Sequence, residues 1–209
     1  MITILFFVAI SWFFYHNLRQ VTATQTRPVA TGKSATTPVT QALEYANRLY
    51  AERKFLASEK AYLRVLKIDH KNVTAYSRLG NIYAVQKNYP DAIECLQIAS
   101  QLQPNASHFQ HLAMVYAENR NQIKAIAAYE KAIMFEPSAA RYFGLAKCYA
   151  KIANYNKALM AYEKAAELNP DYKHLLALAE AYTMAKDRAK AEKVYEQIRN
   201  LQTTAAIQT

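Results

Sequence analysis

Residues 106–138 read ASHFQHLAMVYAENRNQIKAIAAYEKAIMFEPS, and residues 139–171 read AARYFGLAKCYAKIANYNKALMAYEKAAELNPD. Superposed without a gap, they agree at Leu112 and Leu145, Ala113 and Ala146, Tyr116 and Tyr149, Ala125 and Ala158, Tyr129 and Tyr162, and Pro137 and Pro170. The step of 33 residues extends in both directions, because Tyr50, Tyr83, Tyr116, Tyr149 and Tyr182 keep it without a slip. A fixed period of this length marks an array of stacked units, none of which buries its apolar face alone.

Seven residues before each tyrosine stand Leu43, Tyr76, Phe109, Tyr142 and Leu175, and four before it stand Ala46, Leu79, Leu112, Leu145 and Leu178. Spacings of three and four place these side chains on one face of a helix. A second face follows a short polar turn: Ala92, Leu96 and Ala99, then Ala125, Tyr129 and Ala132, then Ala158, Tyr162 and Ala165, then Ala191, Tyr195 and Ile198. Pro104, Pro137 and Pro170 end three units, since proline does not continue a helix. The pattern predicts two helices per unit over residues 40–201, with units at about 40–72, 73–105, 106–138, 139–171 and 172–201.

This arrangement resembles the tetratricopeptide repeat family. The second unit carries its positions as Tyr76, Leu79, Gly80, Tyr83, Ala92, Leu96, Ala99 and Pro104, with Leu96 in place of the aromatic. The ends depart from the pattern, with Asn47, Ser58 and His70 in the first unit and no closing proline in the fifth. Lys87, Arg120, Ala153 and Lys186 replace the usual turn glycine. The resemblance implies an all-α, right-handed α-solenoid of about five helix-turn-helix repeats.

Only three glycines occur in 209 residues, and no stretch alternates β-branched residues, so composition also favours an all-α chain. The formal net charge is +10, of which Arg19, Arg27 and Lys33 supply three; the 23 basic and 16 acidic residues beyond position 40 leave the array at +7. That balance favours acidic partners. Basic residues alternate with glutamates, as in Glu130 beside Lys131, which is the pattern of a solvated face and gives no nucleic-acid stripe. Cys95 and Cys148 fall in different helix types two units apart, so they are expected to be free thiols that fill space, as suits a reducing compartment.

Residues 1–18 carry no charged side chain and include Ile2, Leu5, Phe6, Phe7, Val8, Ile10, Trp12, Phe13 and Phe14. As a helix this stretch reaches about 27 Å at roughly 1.5 Å per residue, close to the hydrocarbon thickness of a bilayer. The reading is an uncleaved transmembrane anchor; a cleaved signal peptide is the alternative, though no basic region precedes the apolar run. Arg19, Arg27 and Lys33 follow it, which keeps the array cytoplasmic by the positive-inside rule; an exported array is the alternative. Residues 19–39, rich in Thr, Ala and Pro, read as a disordered linker, and residues 202–209 as a flexible tail.

No catalytic or metal-binding pattern is present in the sequence. Gly32, Lys33 and Ser34 imitate the end of a phosphate-binding loop, but Arg27 stands where its first glycine belongs. His108 and His111 lack a third ligand at suitable spacing, which leaves His108 as a surface residue and His111 as a groove residue. Neither an enzyme nor a cofactor is expected.

Function is then expected in the surface that stacking creates. The resemblance implies a concave groove lined by the first helix of each repeat, with Ala51, Ala84, Ala117, Ala150 and Thr183 along its floor. In repeat five it places Lys173, Leu176, Glu180, Thr183 and Met184 on the same side. The expected centre for a bound protein or peptide is Asn81, Gln110, Met114, Phe143, Lys147 and Lys151: amides for an extended backbone, Phe143 and Met114 as an apolar seat, and two lysines for a carboxylate. Family members that grip chaperone tails use two lysines, two asparagines and an arginine; only Asn81 matches that set. Self-association is a further expectation, through Val194, Ile198 and Leu201 on an uncapped last helix.

Overall fold

A computed structural model describes residues 37–207, so the anchor expected at 1–18 lies outside the described residues, as does all of the linker before Thr37. The described residues form ten helices and no strand. They are α1 (Pro38–Ala51), α2 (Phe55–Ile68), α3 (Val73–Val85), α4 (Tyr89–Leu102), α5 (Ala106–Glu118), α6 (Gln122–Phe135), α7 (Ala139–Lys151), α8 (Tyr155–Leu168), α9 (Tyr172–Met184) and α10 (Arg188–Ile207). Each packs on the next, and α5 also touches α3 and α7, so contacts stay between neighbouring units. None of these helices is long and apolar enough to cross a membrane.

Two boundaries differ from the sequence reading. Helix α1 starts at Pro38, inside the expected linker, because the Thr37 hydroxyl accepts a hydrogen bond from the Thr40 amide and proline suits the first helical turn. Helix α10 runs on to Ile207, through most of the expected tail. Val194 and Ile198 are buried against α9, which leaves Leu201 as the exposed member of the proposed stacking face. The self-association surface read from the sequence is therefore smaller than expected.

The turns within repeats show how the chain manages without glycine. Arg53, Lys87, Arg120, Ala153 and Lys186 have φ between 57° and 61°, the left-handed region. Each closes a Schellman motif: the Asn121 amide donates to the Tyr116 carbonyl while the Arg120 amide donates to that of Ala117, and the equivalent pairs recur in every repeat. In repeats two to five the long bond ends on the periodic tyrosine, at Tyr83, Tyr116, Tyr149 and Tyr182. Repeat one ends it on Leu49 instead, one residue early, and the turn before α3 is longer by one residue in compensation. The residue that closes the motif also opens the next helix, since Asn121, Asn154 and Asp187 accept from the amides of Lys124, Lys157 and Lys190.

The tyrosine rings join repeats to one another. Tyr149 donates its hydroxyl proton to Glu130 in the preceding second helix, at 2.8 Å, and Tyr182 does the same to Glu163; Gln97 donates to Tyr116 at 2.9 Å. Lys124, Lys157 and Lys190 lie over the same three rings at 5.7, 5.4 and 5.3 Å. Burial, then the bond to a carboxylate, pushes the phenols of Tyr149 and Tyr182 up to about 12. These tyrosines therefore staple adjacent repeats as well as filling the space within one.

A second column serves the turns between repeats. His108 and His174 donate Nδ1–H to the carbonyls of Gln103 and Asn169, at 2.8 and 3.1 Å, and Arg141 donates to that of Glu136. Each acceptor is the last residue of a helix cap, whose carbonyl has no partner within its own helix. His108 is thus buried, contrary to the surface position expected for it, because this contact draws the ring under the turn.

Two predictions follow from the turns and staples. Ala153→Gly relieves a left-handed alanine and is expected to stabilise the chain by about 1 kcal/mol, a rise of about 2–4 °C in Tm by calorimetry. Tyr149→Phe removes a bond to a carboxylate and is expected to cost about 1–2 kcal/mol in chemical denaturation, with unchanged helix content by circular dichroism.

Candidate functional site

The face made by first helices contains a hollow of about 450 Å³ between α5 and α7. Helix α5 contributes Gln110, Met114, Ala117 and Glu118; α7 contributes Ala140, Phe143, Gly144, Lys147, Cys148 and Lys151; α9 adds Lys173. Tyr129 of α6 forms part of its floor. Five of the six residues expected at the groove centre are brought together here, and Asn81, half-buried on α3, lies outside. Of the expected floor column, Ala117 lines the hollow, while Ala51 and Thr183 are exposed elsewhere.

The spacing that joins these residues is helical. Gln110, Met114 and Ala117 follow one another at four and three residues, as do Phe143, Lys147 and Ala150 one repeat later. Corresponding positions of α5 and α7 therefore face across the same gap with different chemistry: Gln110 against Phe143, Met114 against Lys147, Glu118 against Lys151.

Gly144 sets the depth. A Cβ at this position would collide with the Tyr129 ring, so the missing side chain is what admits that ring beneath α7. In the same repeat register His111 precedes Gly144 by 33 residues and Leu96 precedes Tyr129, so the glycine accompanies the larger ring. His111 is half-buried and does not line the hollow; burial lowers its tendency to protonate, and its Nδ1 has no hydrogen-bond partner among the described residues.

Phe143, expected as an apolar seat, lines the hollow and also makes contacts of its own. Its ring meets Tyr162 and His174 edge-on at 5.8 and 5.4 Å. Lys173 Nζ stands 4.5 Å from its centroid and Lys147 Nζ 5.9 Å. Both ammonium groups thus lie within cation–π reach of the ring, and Met114, 44% exposed, is the more open apolar side chain of the lining. Lys147, Lys151 and Lys173 form no ion pair among the described residues, and Glu118 is the one acidic side chain in the lining. Sequence spacing placed Lys173 on the correct side, but its contact with Phe143 depends on how α9 packs against α7 and has no local signal.

Cys148 lies under the hollow with its thiol pushed up to about 11 by burial, so it is protonated and serves as apolar lining. Cys95, raised to about 11 for the same reason, is also free. No group of three potential metal ligands occurs among the described residues. On the second-helix side, Phe109, Leu112, Tyr116, Lys124 and Lys131 border a smaller hollow of about 350 Å³. Its counterpart one repeat later, of about 470 Å³, includes Lys164 and Glu167, which pair with each other at 2.6 Å.

Known proteins share the fold. Tetratricopeptide repeat models match residues 73–106, and 109–138 with 139–172. No curated protein sequence matches the chain. A crystal structure of MamA is 26% identical, with a TM-score of 0.72 over 77% of this chain and 96% of that one. A second MamA structure is 25% identical, with a TM-score of 0.73 over 80% and 93%. YrrB, described as a TPR protein with an unusual peptide-binding site, shares the fold at 21% identity and a TM-score of 0.66, over 81% and 94%. With ten helices paired at the repeat spacing and no strand, the described residues form an all-helical tetratricopeptide repeat solenoid.

Proposed function

We propose that this chain is a non-enzymatic adaptor that binds a protein or peptide segment in the groove of its first helices, tethered to a membrane by residues 1–18 with the array on the cytoplasmic side. The observation that carries the binding part is the hollow between α5 and α7, where Gln110, Met114, Phe143, Lys147 and Lys151 converge beside small residues. Ala117, Ala140 and Gly144 keep helix backbone accessible, and Gln110 offers an amide to an extended chain. The tether rests on the uncharged run before Arg19, and the orientation on Arg19, Arg27 and Lys33 behind it.

Two measurements test this reading. Ala140 is exposed on the wall of the hollow, so Ala140→Trp fills the space without disturbing the core. Affinity capture with the full chain is expected to lose its partner proteins with this variant while helix content stays constant; an identical set of captured proteins rejects the groove. Alkaline phosphatase fused after Thr209 is expected to be silent and a fluorescent protein there bright; strong phosphatase activity overturns the cytoplasmic orientation.

A further inference from the structure

The chemistry of the hollow narrows the kind of segment it receives. Three lysines meet one glutamate in its lining, and none of the three is neutralised by an ion pair among the described residues. Two of them are positioned by the Phe143 ring, at 4.5 and 5.9 Å, and that ring is itself fixed edge-on against Tyr162 and His174. Ammonium groups held in this way lose less side-chain freedom on binding an anion than free surface lysines do. The third, Lys151, stands one helical turn beyond Lys147. Positive charge therefore runs along the α7 side of the hollow, from the Lys173 edge to Lys151.

The type of cation also discriminates. No arginine lines the hollow, so the planar fork that grips one phosphate or carboxylate through paired bonds is absent. Separate lysines act as point charges and suit separate carboxylates spaced along a chain. Across the gap, Met114 is 44% exposed beside Ala117, and a flexible thioether accommodates apolar side chains of several shapes. Both ammonium groups lie within cation–π reach of the Phe143 ring, and Met114 is the more exposed apolar side chain, so the apolar contact of a ligand falls on the α5 wall and its acidic contacts on the α7 wall.

The geometry points to an acidic linear peptide as the occupant: a segment carrying two or more Asp or Glu side chains toward Lys147, Lys151 and Lys173, with one apolar side chain against Met114. This rests on the groove being a peptide-binding surface, as proposed above, and adds the chemistry of the partner and its orientation across the gap.

The test is selection of random displayed decapeptides on the full chain, in parallel with K147E/K173E and with A140W. Both lysines are exposed, so their replacement leaves the core intact, which circular dichroism checks. The expected result is a population from the unaltered chain enriched in Asp and Glu around an apolar residue, an acidic excess that disappears with K147E/K173E, and no enrichment with A140W. The leading peptide, synthesised and labelled, is expected to bind about tenfold more weakly to K147A/K173A in fluorescence anisotropy and to weaken with added salt. Enrichment without an acidic bias, or the same composition from the charge-reversed variant, overturns the acidic occupant; if A140W abolishes that enrichment, the groove reading survives. No enrichment from the unaltered chain, or equal enrichment with A140W, overturns both.

Discussion

In repeats three to five the periodic tyrosine does three jobs at once, and the geometry around the hollow follows from them. Its backbone carbonyl accepts the closing bond of the turn, as Tyr116 does from Asn121 at 2.9 Å. Its hydroxyl reaches the second helix of the preceding repeat, as Tyr149 reaches Glu130, and its ring lies beneath a lysine of its own repeat. One residue thereby fixes where the first helix ends, how that helix is rotated, and how far away the previous repeat sits. Substituting a neighbouring surface position leaves these constraints in place, because they run through the tyrosine backbone and ring.

Rotation of the first helix is what makes a site possible. With Tyr116 and Tyr149 directed to the repeat interface, the positions six, two and one residue away lie roughly 100–160° round the helix and so share a different face, toward the hollow. Gln110 and Phe143 are the same position in successive repeats, as are Met114 and Lys147, and Glu118 and Lys151. The hollow is thus the junction where one set of columns changes from amide, thioether and carboxylate to aromatic and two ammoniums. A perfectly regular array would present the same chemistry at every step and would have no preferred register for a partner. Departures from regularity supply that register, and Gly144 adds depth at the same junction by admitting Tyr129.

Helix identity and the paired-helix order were legible in the sequence because they depend on local spacing. So was the clustering of Gln110, Met114, Phe143, Lys147 and Lys151, which the helical period and the tyrosine frame fix together. The turns were less legible. Lys87, Arg120, Ala153 and Lys186 occupy left-handed backbone without being glycine, a choice set by the closing bonds and not by residue preference. The buried His108 was missed although its partner, Gln103 O, lies only five residues before it across the turn; Lys173 over Phe143 gave no such local signal, because packing between repeats brings it close. Asn81 failed to join the hollow because column membership says which side a residue faces and leaves open which gap between helices it borders.

The same locality separates positions where recognition is tuned independently from positions where it is tied to the fold. Lys147, Lys151 and Ala140 are exposed on the walls, so changing them alters what the hollow attracts without touching the tyrosine staples. Phe143 is different. It joins the packing of Tyr162 and His174 to the placement of two lysines, and His174 in turn donates to the Asn169 carbonyl that ends α8. A change at Phe143 therefore reaches a helix terminus on one side and two ammonium groups on the other. In an array whose repeats contact only their neighbours, that disturbance stays between repeats four and five. Specificity is therefore free to evolve along α5 and the exposed turns of α7, while the ring that presents the charge is constrained by the stack.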